Sequence, residues 1–261
     1  MKIKFIIILF FQFIFFSSIL VSDEVEIVSD NIKVLDNGKI IESIQTNAII
    51  KSKGLYIEGD YSVYNKETEI IKFEKNVLFN DRTKNIKVET ENAEYNQQLD
   101  TLETIGVTNI KIENKYEIIS SNMFYDRKLQ KIYSKNETTI KDISGNIYNL
   151  ENSFQFDLIE ETITTEKTNI IDTDNNIYVF ENAKINLVTK EILGKELKID
   201  FVDNYFGIPN NDPILKGRSA ISNNEVTKIY KTVFSTCNTT NKSCPGWEIE
   251  TEEFTHDKVN K

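Results

Sequence analysis

Asparagine returns in this chain at a fixed interval. Asn92, Asn122, Asn152 and Asn182 stand thirty residues apart, and Ala93, Met123, Ser153 and Ala183 follow them. Ser62 holds the matching place in an earlier copy that opens at Leu55. An aromatic residue or isoleucine comes next in each copy, at Tyr64, Tyr95, Tyr125, Phe156 and Ile185. A polar turn then follows, such as "NKET", "NQQLD" or "DRKLQ". Self-similarity at such a period marks a stacked architecture, in which each unit buries its apolar face only against its neighbours.

Within each copy the apolar period is two. In "LYIEGDYSVY" the residues Leu55, Ile57, Tyr61 and Val63 share one face, and Tyr56, Glu58, Asp60 and Ser62 the other. "IKVET", "NVLFND" and "NIKIEN" alternate likewise. Such alternation predicts half-buried strands. Frequent β-branched and aromatic residues suit a pleated surface. Asn37-Gly38 is a strong hairpin signal. The phase of alternation changes between Thr90 and Ala93, which a bulge or corner would explain. The expected fold is all-β: antiparallel hairpin repeats over residues 55–205, stacked as a sandwich or as a rolled, open-edged sheet with an apolar interior groove.

The chain opens "MKIKFIIILFFQFIFFSSILVSDEVE", a basic start, an apolar run and small residues before polar sequence. That pattern fits a secretory signal over residues 1–22, cut after Ser22, leaving a domain over 23–261. The alternative is an uncleaved anchor, because Phe5 to Val21 approaches spanning length. The net charge is −10, and −12 once Lys2 and Lys4 leave with a signal. Such a chain repels phosphate backbones, so a nucleic-acid partner is not expected.

No catalytic set is visible. One histidine cannot build a His-based metal cluster. No nucleophile elbow, phosphate loop or dinucleotide fingerprint occurs. The many carboxylates alternate with lysines along strands, as on a solvated face. Neither enzyme activity nor a cofactor or bound metal is expected.

The repeats resemble the organic-solvent-tolerance (OstA-like) β-jellyroll domain. That domain is shared by the periplasmic bridge proteins of lipopolysaccharide transport and by the N-terminal part of the LptD family of outer-membrane assembly proteins. The tail is similar to the latter. "LKGRSAISNNEVTKIYKTVFSTC" and "CPGWEIETEEFTHDK" place Gly217, Ala220, Phe234, Cys237, Trp247, Phe254, His256 and Asp257 on the family pattern before its barrel. The resemblance implies that residues 215–261 are the terminal segment preceding a barrel, this sequence being a fragment, a truncated reading frame or a stand-alone domain.

The resemblance implies a non-enzymatic conduit at the periplasmic side of the outer membrane. Lipopolysaccharide acyl chains would pass along the interior while sugars and phosphates stay outside. The implied lipid-binding wall is Ile57, Val63, Phe73, Val77, Phe79, Val88, Tyr95, Ile110, Ile112, Tyr125 and Phe156. A periplasmic bridge protein would dock by strand addition on an open edge near Ile32 to Ile50. An outer-membrane lipoprotein would be a partner if a barrel is present. In an oxidising compartment Cys237 and Cys244 would form a disulfide, or pair with barrel cysteines. A local bridge would close an eight-residue loop and add roughly 2–3 kcal/mol. Zinc on Cys237, Cys244 and His256 lacks an evident fourth ligand. Rival readings are a bridge or membrane-anchored protein of the same pathway, a secreted carbohydrate-active enzyme on a parallel β-helix, and a surface protein without ligand.

Overall fold

Alternating sequence makes strands here, and asparagines and aspartates end them. The computed structural model describes residues 24–201, 214–223, 225–235 and 248–257. The expected signal segment, both cysteines and Trp247 lie outside these. Among the described residues there is no α-helix, only single 3-10 turns at Asp36–Gly38 and Lys51–Lys53. The strands are β1 (Glu26–Val28), β2 (Asn31–Leu35), β3 (Ile40–Ile50), β4 (Leu55–Asn65), β5 (Ile70–Asp81), β6 (Ile86–Asn96) and β7 (Thr101–Ile112). Shorter ones follow: β8 (Tyr116–Ser121), β9 (Phe124–Asp126), β10 (Lys131–Ser134), β11 (Thr138–Asp142), β12 (Ile147–Leu150), β13 (Phe154–Asp157), β14 (Thr162–Thr165), β15 (Thr168–Ile171), β16 (Ile177–Phe180) and β17 (Asn182–Asn186). Long strands return as β18 (Ile192–Asp200), β19 (Ile214–Ser222), β20 (Val226–Ser235) and β21 (Ile249–Asp257). All belong to one sheet, and its pairings are antiparallel. The parallel coils of a β-helix are not what this chain forms.

The sheet is creased lengthwise. Long strands break step midway, with register shifts at Glu58/Tyr61, Glu74/Val77 and Thr90/Asn92. The last of these is the phase change seen in sequence. Left-handed backbone gathers at the same places: Gln45, Lys75, Asn76, Gly106, Asn122, Glu196 and Lys231 all have positive φ. An extra residue bends a strand and swaps its faces. From β8 to β17 each long strand is simply two short ones with the bend between them. β7 thus pairs with β8 through Val107–Ile112 and with β9 through Thr101–Glu103. Two ladders leave it. The first arm runs β8, β11, β12, β15, β16 to the end of β18; the second runs β9, β10, β13, β14, β17 to the start of β18.

The thirty-residue asparagines sit on the crease. Asn122, at φ 49°, separates β8 from β9, and its Oδ1 accepts the Gly106 N–H at 3.0 Å. Asn92 Oδ1 accepts the Lys75 N–H at 3.3 Å. Asparagine tolerates left-handed backbone better than other side chains with a Cβ. Asn152 lies between β12 and β13, and Asn182 opens β17. One repeat is therefore a strand out and a strand back, each crossing both arms. The strand ends carry Asx turns: Asn65, Asp81, Asn96, Asp126, Asp157 and Asn186 accept backbone N–H groups two or three residues on.

The two arms face each other and the core fills the space between. Phe79 of the first arm meets Tyr95 and Tyr125 of the second, at ring centroid distances of 6.0 and 6.3 Å. Tyr116 and Phe156 meet edge to face at 5.5 Å. The crease also corrects the expected face of β4. Leu55 and Ile57 are buried, but beyond the bulge Ser62 turns inward, and Tyr61 and Val63 lie half-buried on the other side. The expected open edge is narrower too. β3 is covered by β1 and β2 on one side and by β4 on the other, so the free edge is Glu26–Val28 and Asn31–Leu35.

Candidate functional site: a cleft where the arms part

Turns at the tips of the two arms are tied across the open side of the crease. Arg127, at a tip of the second arm, donates from Nε to Asp81 Oδ2 of the first arm at 2.7 Å. Its Nη1 reaches both Asp100 oxygens at 2.7 and 2.8 Å, and Nη2 the Lys53 carbonyl at 3.1 Å. Tyr125 donates to Asp81 at 3.1 Å and Tyr95 to Asp100 at 2.6 Å. Burial works against the Arg127 charge, but the hydrogen bonds to Asp81 and Asp100 outweigh it and raise its pKa. Burial likewise pushes the Tyr95 and Tyr125 hydroxyls up, so both stay protonated donors.

Further rungs repeat the device. Lys53 Nζ reaches the Gln97 carbonyl at 2.8 Å, and Lys84 Nζ the Gln130 side chain at 2.9 Å. Lys115 pairs with Glu161 at 2.9 Å, and Tyr116 donates to the same carboxylate. Lys190 Nζ lies 3.0 Å from Asp142 Oδ2, whose side chain is 0% exposed. The next tip of the first arm begins at Asp172. Its carboxylate is held by the Asn176 side-chain amide and Tyr178 hydroxyl, at 2.9 and 3.0 Å, and no lysine or arginine among the described residues pairs with it. The matching tip of the second arm, Asn223 to Glu225, carries no cation.

Beyond that last clasp a cleft of about 290 Å³ lies between the arms. The first arm supplies Tyr148, Ile170, Tyr178, Phe180, Leu197 and Ile199; the second supplies Ile185, Ile192, Ala220, Thr227 and His256. Asn146, Asp172, Asp174, Asn176 and Lys190 form its mouth. An apolar floor under a few polar groups is the usual make-up of a small-ligand site. A larger depression of about 580 Å³ lies on the outer face of the second arm among Lys131, Gln155, Asp157, Thr164 and Lys184. Its lining is mostly charged and amide side chains, with Leu193 and Ile221 at one side, so the more apolar inner cleft is the better candidate. No metal-ligand cluster occurs among the described residues.

Ten of the eleven wall residues proposed from sequence are interior. Ile57, Phe73, Val77, Phe79, Val88, Tyr95, Ile110, Ile112, Tyr125 and Phe156 are 0–6% exposed; Val63 is the exception explained by the bulge. These ten lie in the clasped stretch, packed on one another, and none lines the cleft. Sequence reading passed over the cleft residues, although "NIIDTDNNIYVFENAKINLVTKEILGKELKID" carries the same alternation. What marks this stretch is that, among the described residues, no cation stands opposite Asp172. The cysteine pair lies outside the described residues. No model of a known protein family matches the chain, and no curated protein matches it.

Proposed function

We propose that this chain is a β-jellyroll that carries lipid acyl chains between its arms, as a non-enzymatic component of lipopolysaccharide transport at the periplasmic face of the outer membrane. The observation that supports the reading is the apolar cleft beyond the last clasp. The opposite end supports it. Ile32 and Val34 are paired with inward positions of β3, yet they are 48% and 59% exposed, so among the described residues the apolar column ends uncapped. Stacked repeats normally close such ends with polar caps. An uncapped end with a free strand edge suits docking of another β-sheet protein. In this reading β1 and β2 receive the bridge protein.

Passage through the clasped stretch requires the arms to separate, because its interior is filled. The crease supplies the hinge, and the clasps set the resistance. A bridge-protein role is the second reading, favoured by β21, which among the described residues pairs only with β20. The parallel-helix enzyme loses its geometric basis in the antiparallel pairing. The test is photo-crosslinking in cells exporting lipopolysaccharide, with a photoreactive residue at Phe180 or Ile192 in the cleft and at Lys184 on the outer face. Adducts are expected from the cleft positions alone. Equal labelling at Lys184, or none at all, would remove the proposal.

A further inference from the structure

The mouth of the cleft is acidic, and its one basic residue is already engaged. Asp142 Oδ2 accepts from Lys190 at 3.0 Å, Asn146 Nδ2 at 2.9 Å and Tyr148 at 3.1 Å. Among the described residues Asp172 has amide and hydroxyl partners but no cation, and Asp174 beside it is exposed. Consider a ligand whose alkyl chain lies on Ile170, Phe180, Ile192 and Leu197. Its head group must then stand among these carboxylates. A phosphate would have to draw Lys190 away from Asp142, leaving a buried carboxylate uncompensated. It would also face Asp172 and Asp174 at close range. An ammonium meets the opposite situation: among the described residues Asp172 offers a carboxylate without a counter-charge, and Asp174 adds a second.

We infer that the cleft selects its ligand by head group, taking a single alkyl chain that ends in an amine and disfavouring one that ends in a bare phosphate. This rests on the conduit reading only in placing an alkyl chain in the cleft. The probes are dodecylammonium, dodecyl maltoside and dodecyl phosphate, titrated calorimetrically into the full chain below their micelle concentrations. The titrations are run at pH 8. Ammonium is expected to bind tightest and phosphate weakest, about tenfold apart at low salt, from two half-exposed carboxylates acting together. High salt should shrink the difference.

Asp174→Asn is expected to narrow the ammonium-to-phosphate ratio about threefold and leave the maltoside unchanged. Asp174 makes no side-chain hydrogen bond to the turn, so this variant keeps the fold, whereas Asp172 caps it. Ile192→Asn should weaken all three probes. Ammonium binding that survives Ile192→Asn is attraction to an acidic surface and overturns the inference. So does a maltoside that binds without any charge preference among the three probes, which leaves the conduit reading standing. If none of the three binds, the alkyl site and the conduit reading fall together.

Discussion

Arg127 is the residue on which the clasped stretch most depends. Its side chain is 6% exposed, between Asp81 at 0% and Asp100 at 14%. Arg127→Ala strips the counter-charge from a fully buried carboxylate and is expected to cost about 3–5 kcal/mol by urea unfolding. Arg127→Met with Asp81→Asn should cost less than the single variant. A larger loss in the double would mean that the charge pair itself holds the fold. Gly217 shows a second kind of constraint. A Cβ there would lie 2.0 Å from Ile229 Cγ2, so the neighbouring strand already fills that space. Gly217→Ala should destabilise by about 1–3 kcal/mol. A stability equal to wild type would show that Ile229 has room to turn away. The sequence offered Gly217 only as part of a tail motif; the reason for it appears once Ile229 is placed opposite. Arg127 looked like one more charge in a polar turn. Its role depends on Asp81, forty-six residues earlier, which no local pattern connects to it.

At the scale of elements, alternation foretold the strands well, and the Thr90–Ala93 phase change foretold a bend. What periodicity could not show is that every strand bends at its own equivalent point. Tyr61 and Val63 were therefore placed on the wrong face: a period of two carried through Gly59–Asp60 inverts everything beyond it. The recurrent asparagine was the available sign. Asn122→Ala forces a β-carbon residue without a local hydrogen bond into left-handed backbone, at about 1–2 kcal/mol. Asn122→Gly should be nearly neutral, and denaturant melts of the two variants compare them directly. Equal losses would mean that the Gly106 hydrogen bond, not the backbone angle, is what matters.

The clasps have a pH signature of their own. For Asp100, Asp142 and Glu161 burial opposes ionisation. It is outweighed by hydrogen bonds and ion pairs with Tyr95 and Arg127, with Asn146 and Lys190, and with Tyr116 and Lys115, so all three carboxyls ionise more readily folded than unfolded. Their stabilisation is complete above the ordinary carboxylate range near pH 4, and is lost as pH falls through the lower folded values. Melting temperature should hold steady from about pH 7 to 5 and decline below about pH 4. A steady melting temperature down to pH 2 would show that the clasps contribute nothing.

The molecule as a whole is a ribbon of strands folded along its length, clasped over most of that length and open at one end. The stacking of repeats was legible because identical units must solve the same burial problem in the same way. The cleft was not, because what sets it off among the described residues is something missing: a basic residue that earlier rungs have and the Asp172 rung lacks. Most of the largest buried apolar residues lie where the arms are most tightly filled, away from the cleft. Its position follows from tip-to-tip contacts spanning forty-four to forty-eight residues, such as Lys53 with Gln97 and Asp142 with Lys190.

Because one thirty-residue copy contributes one outward and one returning strand, it widens the ribbon by two strand spacings, about 9–10 Å. Duplicating or deleting a whole copy changes reach without disturbing crease, tips or facing side chains. Length in such a molecule is counted in whole steps. A gap between two fixed partners could be matched by adding units, while a change of fifteen residues would leave the last strand running the wrong way.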